Sequence, residues 1–466
     1  MSDRSARSGR SVVVLGGGLA GVLTAQALSA VAHVTLVERD VLPAQPAPRR
    51  GLPQARHVHL LWSGGADAME ELLPGVTHRL LARGARRLAL PDDMVGLSPQ
   101  GWFRRWAGAH YMLLSSRDLL DATVRAQVLA CDRVTLRQGT EALGLVGDAS
   151  RVIGVRVRDG DGARYALRAD LVVDATGRAS RASAWLRDLG LPPVPQRTVS
   201  SGLVYASRLF RAPKATHDGF PAVNIQADPR GLGPGRAGTL IPVEGGRWHV
   251  TLSGTTGGEP TRGNDAFERF ARGLRHPVLA DLISLAEPLE DVALTRTTAN
   301  RRHYYERARR WPEGFVALGD AVAAYNPTYG QGMSVAAQSA RAVRAVVRSR
   351  GWETPGLARH LQRAVAGPVS VAWSMATSQD VFYPGATPHG PTLRERASAA
   401  YLDRLLHTAT GNGRIAREVT RVTSMEHGPL LLLKPSVLLA AARGPLRPQL
   451  TGPPLTRGER EAVVGG

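Results

Sequence analysis

The stretch Ser11-Val12-Val13-Val14-Leu15-Gly16-Gly17-Gly18-Leu19-Ala20-Gly21, with Glu38 at the end of the next apolar run, decides the fold of this chain. Ser11 to Leu15 is short, β-branched and bounded by glycines, as a fully buried strand is. Leu19 to Ala30 is a helical run of Ala, Leu and Val, and Val34 to Val37 is a second short strand. Together they make one βαβ unit of about 30 residues. Its glycines fit G-x-G-x-x-G. Gly16 permits the tight turn, Gly18 lets backbone amides reach a pyrophosphate on the helix N-terminus, and Gly21 lets helix and strand pack closely. Glu38 can accept hydrogen bonds from adenosine ribose hydroxyls. Leu19 and Ala20 in the loop and Arg39 beside Glu38 complete the candidate dinucleotide site. The motif does not by itself separate FAD from NAD.

A second glycine site lies far downstream. A buried strand, Phe315 to Leu318, runs into Gly319-Asp320-Ala321. Then come Pro327-Thr328-Tyr329-Gly330-Gln331-Gly332-Met333-Ser334 and a helix reaching Val347. Asp320 can bond a ribityl hydroxyl. The helix N-terminus, introduced by Pro327, Gly330, Gly332 and Met333, can face the edge of a flavin that carries negative charge when reduced.

Composition excludes several classes. The 466 residues carry 59 Lys plus Arg against 39 Asp plus Glu, a formal charge of +20, yet Lys214 and Lys434 are the only lysines. Arginine bias of this kind is also what a GC-rich genome writes. With 5% aromatics and no binding motif, the charge does not identify a nucleic-acid binder. Cys131 is the sole cysteine, so no disulfide framework forms within the chain and a reducing cytoplasm fits best. No run of 18 uninterrupted apolar residues predicts a transmembrane helix. Arg4, Arg7 and Arg10 before Val12 to Leu23 mimic a signal peptide, but glycines break that run and it reads as strand, turn and helix. His57 and His59 form H-x-H without a third ligand, so no metal site is expected.

The remaining readings are coarser. Val58 to Leu73 and Met112 to Ala130 read as helices, the second with Arg117 in its first turn. The region Ser201 to Ser253 is strand-rich, Ala266 to Leu285 is helical, and residues 444 to 466 form a Pro/Gly/Arg-rich, poorly packed tail.

The paired glycine sites resemble the FAD monooxygenases of the para-hydroxybenzoate hydroxylase type over residues 11 to about 345. Leu113-Leu114-Ser115-Ser116-Arg117-Asp118-Leu119-Leu120 looks like that family's R-x-x-L helix start, which implies that Arg117 reaches the FAD pyrophosphate or ribityl region. Ala323 stands where the family often has His. Asp174-Ala175-Thr176-Gly177 replaces the Asp-Gly motif of the aromatic hydroxylases, so their handling of NADPH is not carried over.

Three further segments, Arg49 to Gly65, Tyr205 to Pro213 and Ala321 to Ser334, look like the flavin-dependent epoxidases of polyether ionophore biosynthesis, the monensin and lasalocid type. That resemblance implies an actinomycete enzyme that epoxidises trisubstituted alkenes of a linear polyene polyketide, through a flavin C4a-hydroperoxide. It implies FAD, O2 as co-substrate, and NAD(P)H acting directly or through a separate flavin reductase. The substrate is a small-molecule polyene, free or carrier-bound. Flavin chemistry needs no side-chain nucleophile, and no catalytic residue is assigned. Arg56 or a neighbouring histidine is a candidate for the flavin surroundings, and Tyr205, Phe210, Phe220 and Trp248 for the pocket walls. Asn300-Arg301-Arg302 could meet a substrate carboxylate or a carrier. An aromatic hydroxylase and a flavin-dependent reductase or cyclase of prenyl chains are the alternatives. A halogenase is disfavoured because neither lysine has the expected context.

The expected fold is α/β. A Rossmann-like FAD-binding domain comprises residues 1–75, 112–190 and 296–370. A substrate-binding β-sheet domain, 76–111 and 191–295, is inserted into it, and a mainly helical region, 371–466, ends in a flexible tail. The low aromatic count suggests a pocket lined largely by aliphatics.

Overall fold

The computed structural model describes residues 9–464 apart from 109, 218 and 297; Arg4 and Arg7 lie outside the described residues. At the centre is a five-stranded sheet in the order Phe315–Ala317, Leu171–Asp174, Ser11–Leu15, His33–Val37, Val134–Arg137. All its neighbours are parallel. Parallel strands are buried on both faces, which is why Val12 to Leu15 and Val172 to Val173 are continuous apolar runs at 3% exposure or less. The helix Leu19–Ser29 follows the first strand, and the helices Ser63–Leu72 and Gly332–Arg350 pack with it against the sheet.

A second, eight-stranded sheet carries the inserted region. Its strands run Glu287–Pro288, Val204–Arg211, Arg247–Gly254, Arg236–Val243, Ala222–Ile225, Met94–Ser98, Gly101–Trp102, with Ala293–Thr295 also paired to Val204–Arg211. The pairing of Ala222–Ile225 with Met94–Ser98 is parallel, and the other pairings are antiparallel. Period-two alternation gives this sheet two unlike faces. One face, with Phe210, Val223, Leu240, Trp248, Val250 and Leu252, packs against Phe267 and Leu279 of the helices Asn264–Arg272 and Val278–Ile283. The other carries Tyr205, Asn224, Thr239, Thr251 and Ser253 into a cavity.

The C-terminal helices Leu393–Gly411, Gly413–Thr423 and Pro435–Arg443 form their own apolar cluster around Leu405, Ile415, Val419 and Leu432. They roof that cavity. Ser424 to Glu426 clasp the roof to the FAD side: Gly64 N donates to Ser424 O at 3.0 Å, Gln338 Nε2 to Met425 O at 2.7 Å, and Ser63 Oγ to Glu426 at 2.5 Å. His110 Nδ1 also lies 2.8 Å from the Glu426 carboxylate.

Three local expectations are corrected. Val58 to Leu73 is not one helix: Leu61–Trp62 is a strand and the helix spans Ser63–Leu72. Met112 lies in a strand, His110–Leu114, which pairs with Arg86–Leu90, so the helix begins only at Arg117. The C-terminal segment is packed: Leu455 and Val463 are 9% and 6% exposed in the core behind the second sheet, and Arg105 Nη1 reaches both Glu459 oxygens at 2.6 and 2.7 Å. Hydrophobic residues spaced along a polar segment supplied that docking, which its Pro/Gly content concealed. Residues 465 and 466 lie outside the described residues.

Candidate active site

The first glycine turn has the shape its sequence calls for. Gly16 has φ +99°, and a Cβ there would stand 2.5 Å from Ala175 O. A Cβ on Gly21 would stand 1.9 Å from Gly16 O, whereas one on Gly18 would meet nothing within 4 Å. The turn is thus closed on the strand side and open over the helix N-terminus, where a pyrophosphate fits. Glu38 is buried at the next strand's end and accepts from Gly17 N at 2.8 Å. Arg39 beside it is exposed and lies near Asp40. The side chain of Leu19 is in the core, so only its backbone amide is available to a ligand, and Ala20 is half-buried.

Arg49 was not singled out as a site residue, although it stands within one of the distinctive segments. It is buried, with Nη2 3.1 Å from Glu38 and Nη1 3.0 Å from Gly17 O. It ties the glycine loop to the acid, and nothing in its local sequence separates it from the surface arginines around it.

The second glycine site folds against the first. A Cβ on Gly319 would lie 2.9 Å from the Ala20 Cβ. The Asp320 carboxylate is half-buried and its pKa raised by desolvation, with the Arg178 and Arg117 guanidinium groups opposing that rise. No described residue donates a hydrogen bond to it, which leaves it free for a ribityl hydroxyl. Arg117 Nε donates to Asp121 Oδ1 at 2.8 Å, while its two terminal nitrogens donate to no described residue. Pro327 opens a 3-10 turn that ends at Gly330, φ +64°, against Leu60. Gly332 begins the next helix with open space at its α-carbon, while the Met333 side chain is in the core. Taken together, these groups fit FAD: an open pyrophosphate cradle, a ribose acid, a free arginine fork and an unbonded acid at the ribityl position.

Asp174 plays a different part. It is fully buried, and its Oδ1 accepts from Thr176 N and Oγ1 at 2.9 and 2.6 Å, its Oδ2 from Ser180 Oγ at 2.5 Å. Those bonds make it a pin for the turn after its strand. The basic triplet is internal too: Asn300 is buried, and Arg302 bonds Glu306 and Ser370 at 2.8 and 2.9 Å. It does not form a surface carboxylate site.

The cavity between second sheet and roof holds about 1020 Å³ and reaches the turn Pro327 to Gln331. Tyr205 lines it, its hydroxyl 2.7 Å from Thr328 Oγ1. Phe210, Phe220 and Trp248 do not. They lie on the opposite face, Phe210 beside Phe267 and Phe220 with its ring 4.9 Å from Trp248. Strand parity places Phe210 and Trp248 there, and Phe220 packs on Trp248 from the segment before the strand Ala222–Ile225. The floor is not aliphatic either: Asn224, Thr239, Thr251, Ser253 and Thr255 face the cavity. Apolar surface comes from the roof, with Leu402, Leu405 and Val419, and from Leu60, Trp62 and Met94 on the sheet side.

The Arg56 side chain is exposed; its carbonyl, 3.0 Å from His249 Nε2, is the part turned inward. His57 lines the cavity, with Nδ1 2.7 Å from Ser207 Oγ and Nε2 2.8 Å from Thr295 Oγ1. Burial pushes its pKa down to about 4. Nδ1 of His59 is 2.7 Å from His57 O, and burial with nearby Arg117 pushes that imidazole down to about 3. The two histidines therefore serve as neutral hydrogen-bonding groups. Among the described residues, no three His, Cys, Asp or Glu side chains converge as metal ligands, and no helix is long and apolar enough to cross a membrane.

Asp380 carried no local signal, and its amide partners Asn300 and Asn326 stand in segments that drew notice for other roles. Asp380 ends the helix Leu357–Asp380, lines the cavity and is 5% exposed. Its Oδ2 accepts from Asn300 Nδ2 at 2.7 Å and from Asn326 Nδ2.

Comparison with known proteins agrees with this geometry. Residues 10–346 match the FAD binding domain family. The chain is 30% identical over 429 residues to Protein Rv3254 of Mycobacterium tuberculosis, covering 88% of each. It is 30% identical over 358 residues to 6-methylpretetramide 4-monooxygenase of Streptomyces rimosus, covering 72% of this chain and 74% of that one. The fold is also that of p-nitrophenol 4-monooxygenase PnpA from Pseudomonas putida, with TM-score 0.61, 17% identity and coverage of 90% and 99%. The chain belongs to the FAD binding domain family, among the FAD-dependent monooxygenases of the para-hydroxybenzoate hydroxylase type.

Proposed function

We propose that this FAD-dependent monooxygenase epoxidises alkenes of a linear polyene polyketide, on the way to a polyether. The observation that carries the reading is the cavity of about 1020 Å³, with its hydroxyl-rich floor and apolar roof, at the turn Pro327 to Gln331. It stands at the top of the range for small-molecule sites, about 300–1,000 Å³. Such a volume suits an extended, partly oxygenated chain better than a single aromatic ring. The sequence resemblance in Arg49 to Gly65, Tyr205 to Pro213 and Ala321 to Ser334 supplies the substrate class.

Glu38 and the Gly16 to Gly21 turn would hold the adenosine and pyrophosphate of FAD, and Arg117 and Asp320 would meet its ribityl chain. Bound and reduced, FAD supplies O2 activation and an electrophilic oxygen atom. The chain supplies position and dryness. The floor orients the oxygenated edge of the substrate, the roof excludes water, and Tyr205 fixes the turn at Thr328. Electrons come from NAD(P)H, directly or through a flavin reductase. Asp174 is occupied by its own turn, which favours no direct nicotinamide role for it.

Aromatic hydroxylation is the second reading, favoured by the relative named 6-methylpretetramide 4-monooxygenase. Incubation with FAD, a reductant, 18O2 and a polyene acid bearing methyl-substituted alkenes separates the two. The expected product carries one 18O per epoxide. Unmodified polyene, together with turnover of a phenol, would give the reaction to the second reading.

A further inference from the structure

Asp380 is an expensive residue to keep where it stands. It is a buried carboxyl at the C-terminal end of a 24-residue helix, where the helix dipole disfavours negative charge. Among the described residues no Arg, Lys or His forms an ion pair with it. The titratable groups around it are Tyr205 from the sheet, Tyr329 from the turn and Tyr383 from the segment after the helix, all held neutral by burial. A buried acid without a cation is retained at a cost unless it binds something.

Its two oxygens are used differently. Oδ2 is saturated by the amides of Asn300 and Asn326. Those amides are themselves fixed: Asn326 N donates to Asn300 Oδ1 at 2.7 Å, and Asn326 Oδ1 accepts from Thr328 N at 3.0 Å. Oδ1 accepts from no described residue, and Asp380 lines the cavity. One oxygen thus anchors the carboxyl to the turn at the flavin site, and the other is left for a ligand. Burial raises this acid to about 6, so it is mostly ionised at neutral pH and gains a proton in mild acid.

We propose that Asp380 Oδ1 accepts a hydrogen bond from a hydroxyl of the substrate, making the site specific for hydroxyl-bearing chains and setting which segment of the chain meets the flavin. This rests on the cavity being the substrate site.

The test is binding to the FAD-loaded, full-length protein, read as perturbation of the flavin absorbance. Farnesol donates a hydrogen bond through its hydroxyl, and farnesyl methyl ether, with a methyl in place of that hydrogen, does not. Farnesol is expected to bind about tenfold tighter or better, as a hydrogen bond to a charged group gives. That preference should shrink between pH 7 and 5. Asp380→Asn should abolish both the preference and its pH dependence, and should remove the carboxyl band that farnesol shifts in the infrared difference spectrum. Equal affinity of the two ligands in the wild type would overturn the role of Asp380 alone, even if the variant fails to load FAD. Absence of any perturbation by either ligand would overturn the substrate-site reading, and Asp380 with it. A uniform loss of affinity for both in Asp380→Asn would show a merely structural residue.

Discussion

At the scale of single residues, the cofactor end rests on a buried charge cluster. Arg49 sits between Glu38 and Asp121, whose carboxylate is 3.7 Å from Nη1, with all three side chains at least nine-tenths buried. Arg49→Ala leaves buried Glu38 without its cation, while Asp121 keeps Arg117 at 2.8 Å, a loss of about 3–5 kcal/mol. The expected result is a lower urea midpoint and protein purified with little FAD; an unchanged midpoint would contradict the pairing. Glycines and Glu38 were legible in the sequence because their spacing reports backbone geometry that few other sequences need. Arg49 was not, because burial of one arginine among many is decided by the packing around it. The convergence of Asn300, Asn326 and Asp380 was hidden for a related reason: they are separated by up to 80 positions and meet only when the helix ending at Asp380 packs beside the turn at Pro327.

At the scale of elements, the roof and the FAD-side helices meet at Gly64. A Cβ there would stand 2.5 Å from Met425 O, and Met425 holds a left-handed φ of 60°. Gly64→Ala should push the roof away without touching the glycine turn. FAD content is expected to hold, while hydrogen exchange over residues 393–443 quickens and the KM for substrate rises severalfold. Loss of FAD with unchanged exchange would refute that division. Strand parity is the other lesson at this scale. Tyr205 and Phe210 share one strand but differ by an odd number of positions, so one meets the cavity and the other the core. Aromatic character alone suggested all four as pocket walls; alternation along the strand separates Tyr205 from Phe210.

The same elements predict acid sensitivity. His57, His59 and His249 are held neutral by burial, at about 4, 3 and 4. Unfolded, each protonates near 6.5. The unfolded chain therefore binds more protons below that value, and stability present above pH 6.5 is lost as pH falls toward 4. Asp380, raised to about 6, runs the other way: its contribution is full below about 4 and lost as pH rises through 6. Asp174 and Asp320, also raised by desolvation, run the same way as Asp380, so the histidine contribution, which falls between pH 6.5 and 4.5, is isolated by substitution. His57→Gln should flatten the slope by up to about 1.4 kcal/mol per pH unit. An identical slope would mean that His57 is already charged in the folded protein.

At the scale of the whole molecule, the last segment returns to the middle of the chain. Removing residues after Gly452 uncovers the sites of Leu455 and Val463 and breaks the Arg105–Glu459 pair. About 3–5 kcal/mol of burial is lost, all of it at the second sheet. Calorimetry should show an early transition while flavin fluorescence still reports bound FAD; a single concerted shift would argue against it. The two-faced sheet has a consequence for how such a protein can change. Asn224, Thr239, Thr251 and Ser253 face the cavity, while their strand neighbours Val223, Leu240, Val250 and Leu252 carry the core. Selectivity and foldability are therefore written on alternate letters of the same strands. Saturation libraries confined to the cavity-facing letters should yield mostly folded, flavin-loaded variants with shifted substrate ranges, and the same libraries one position out of step should yield mostly insoluble protein.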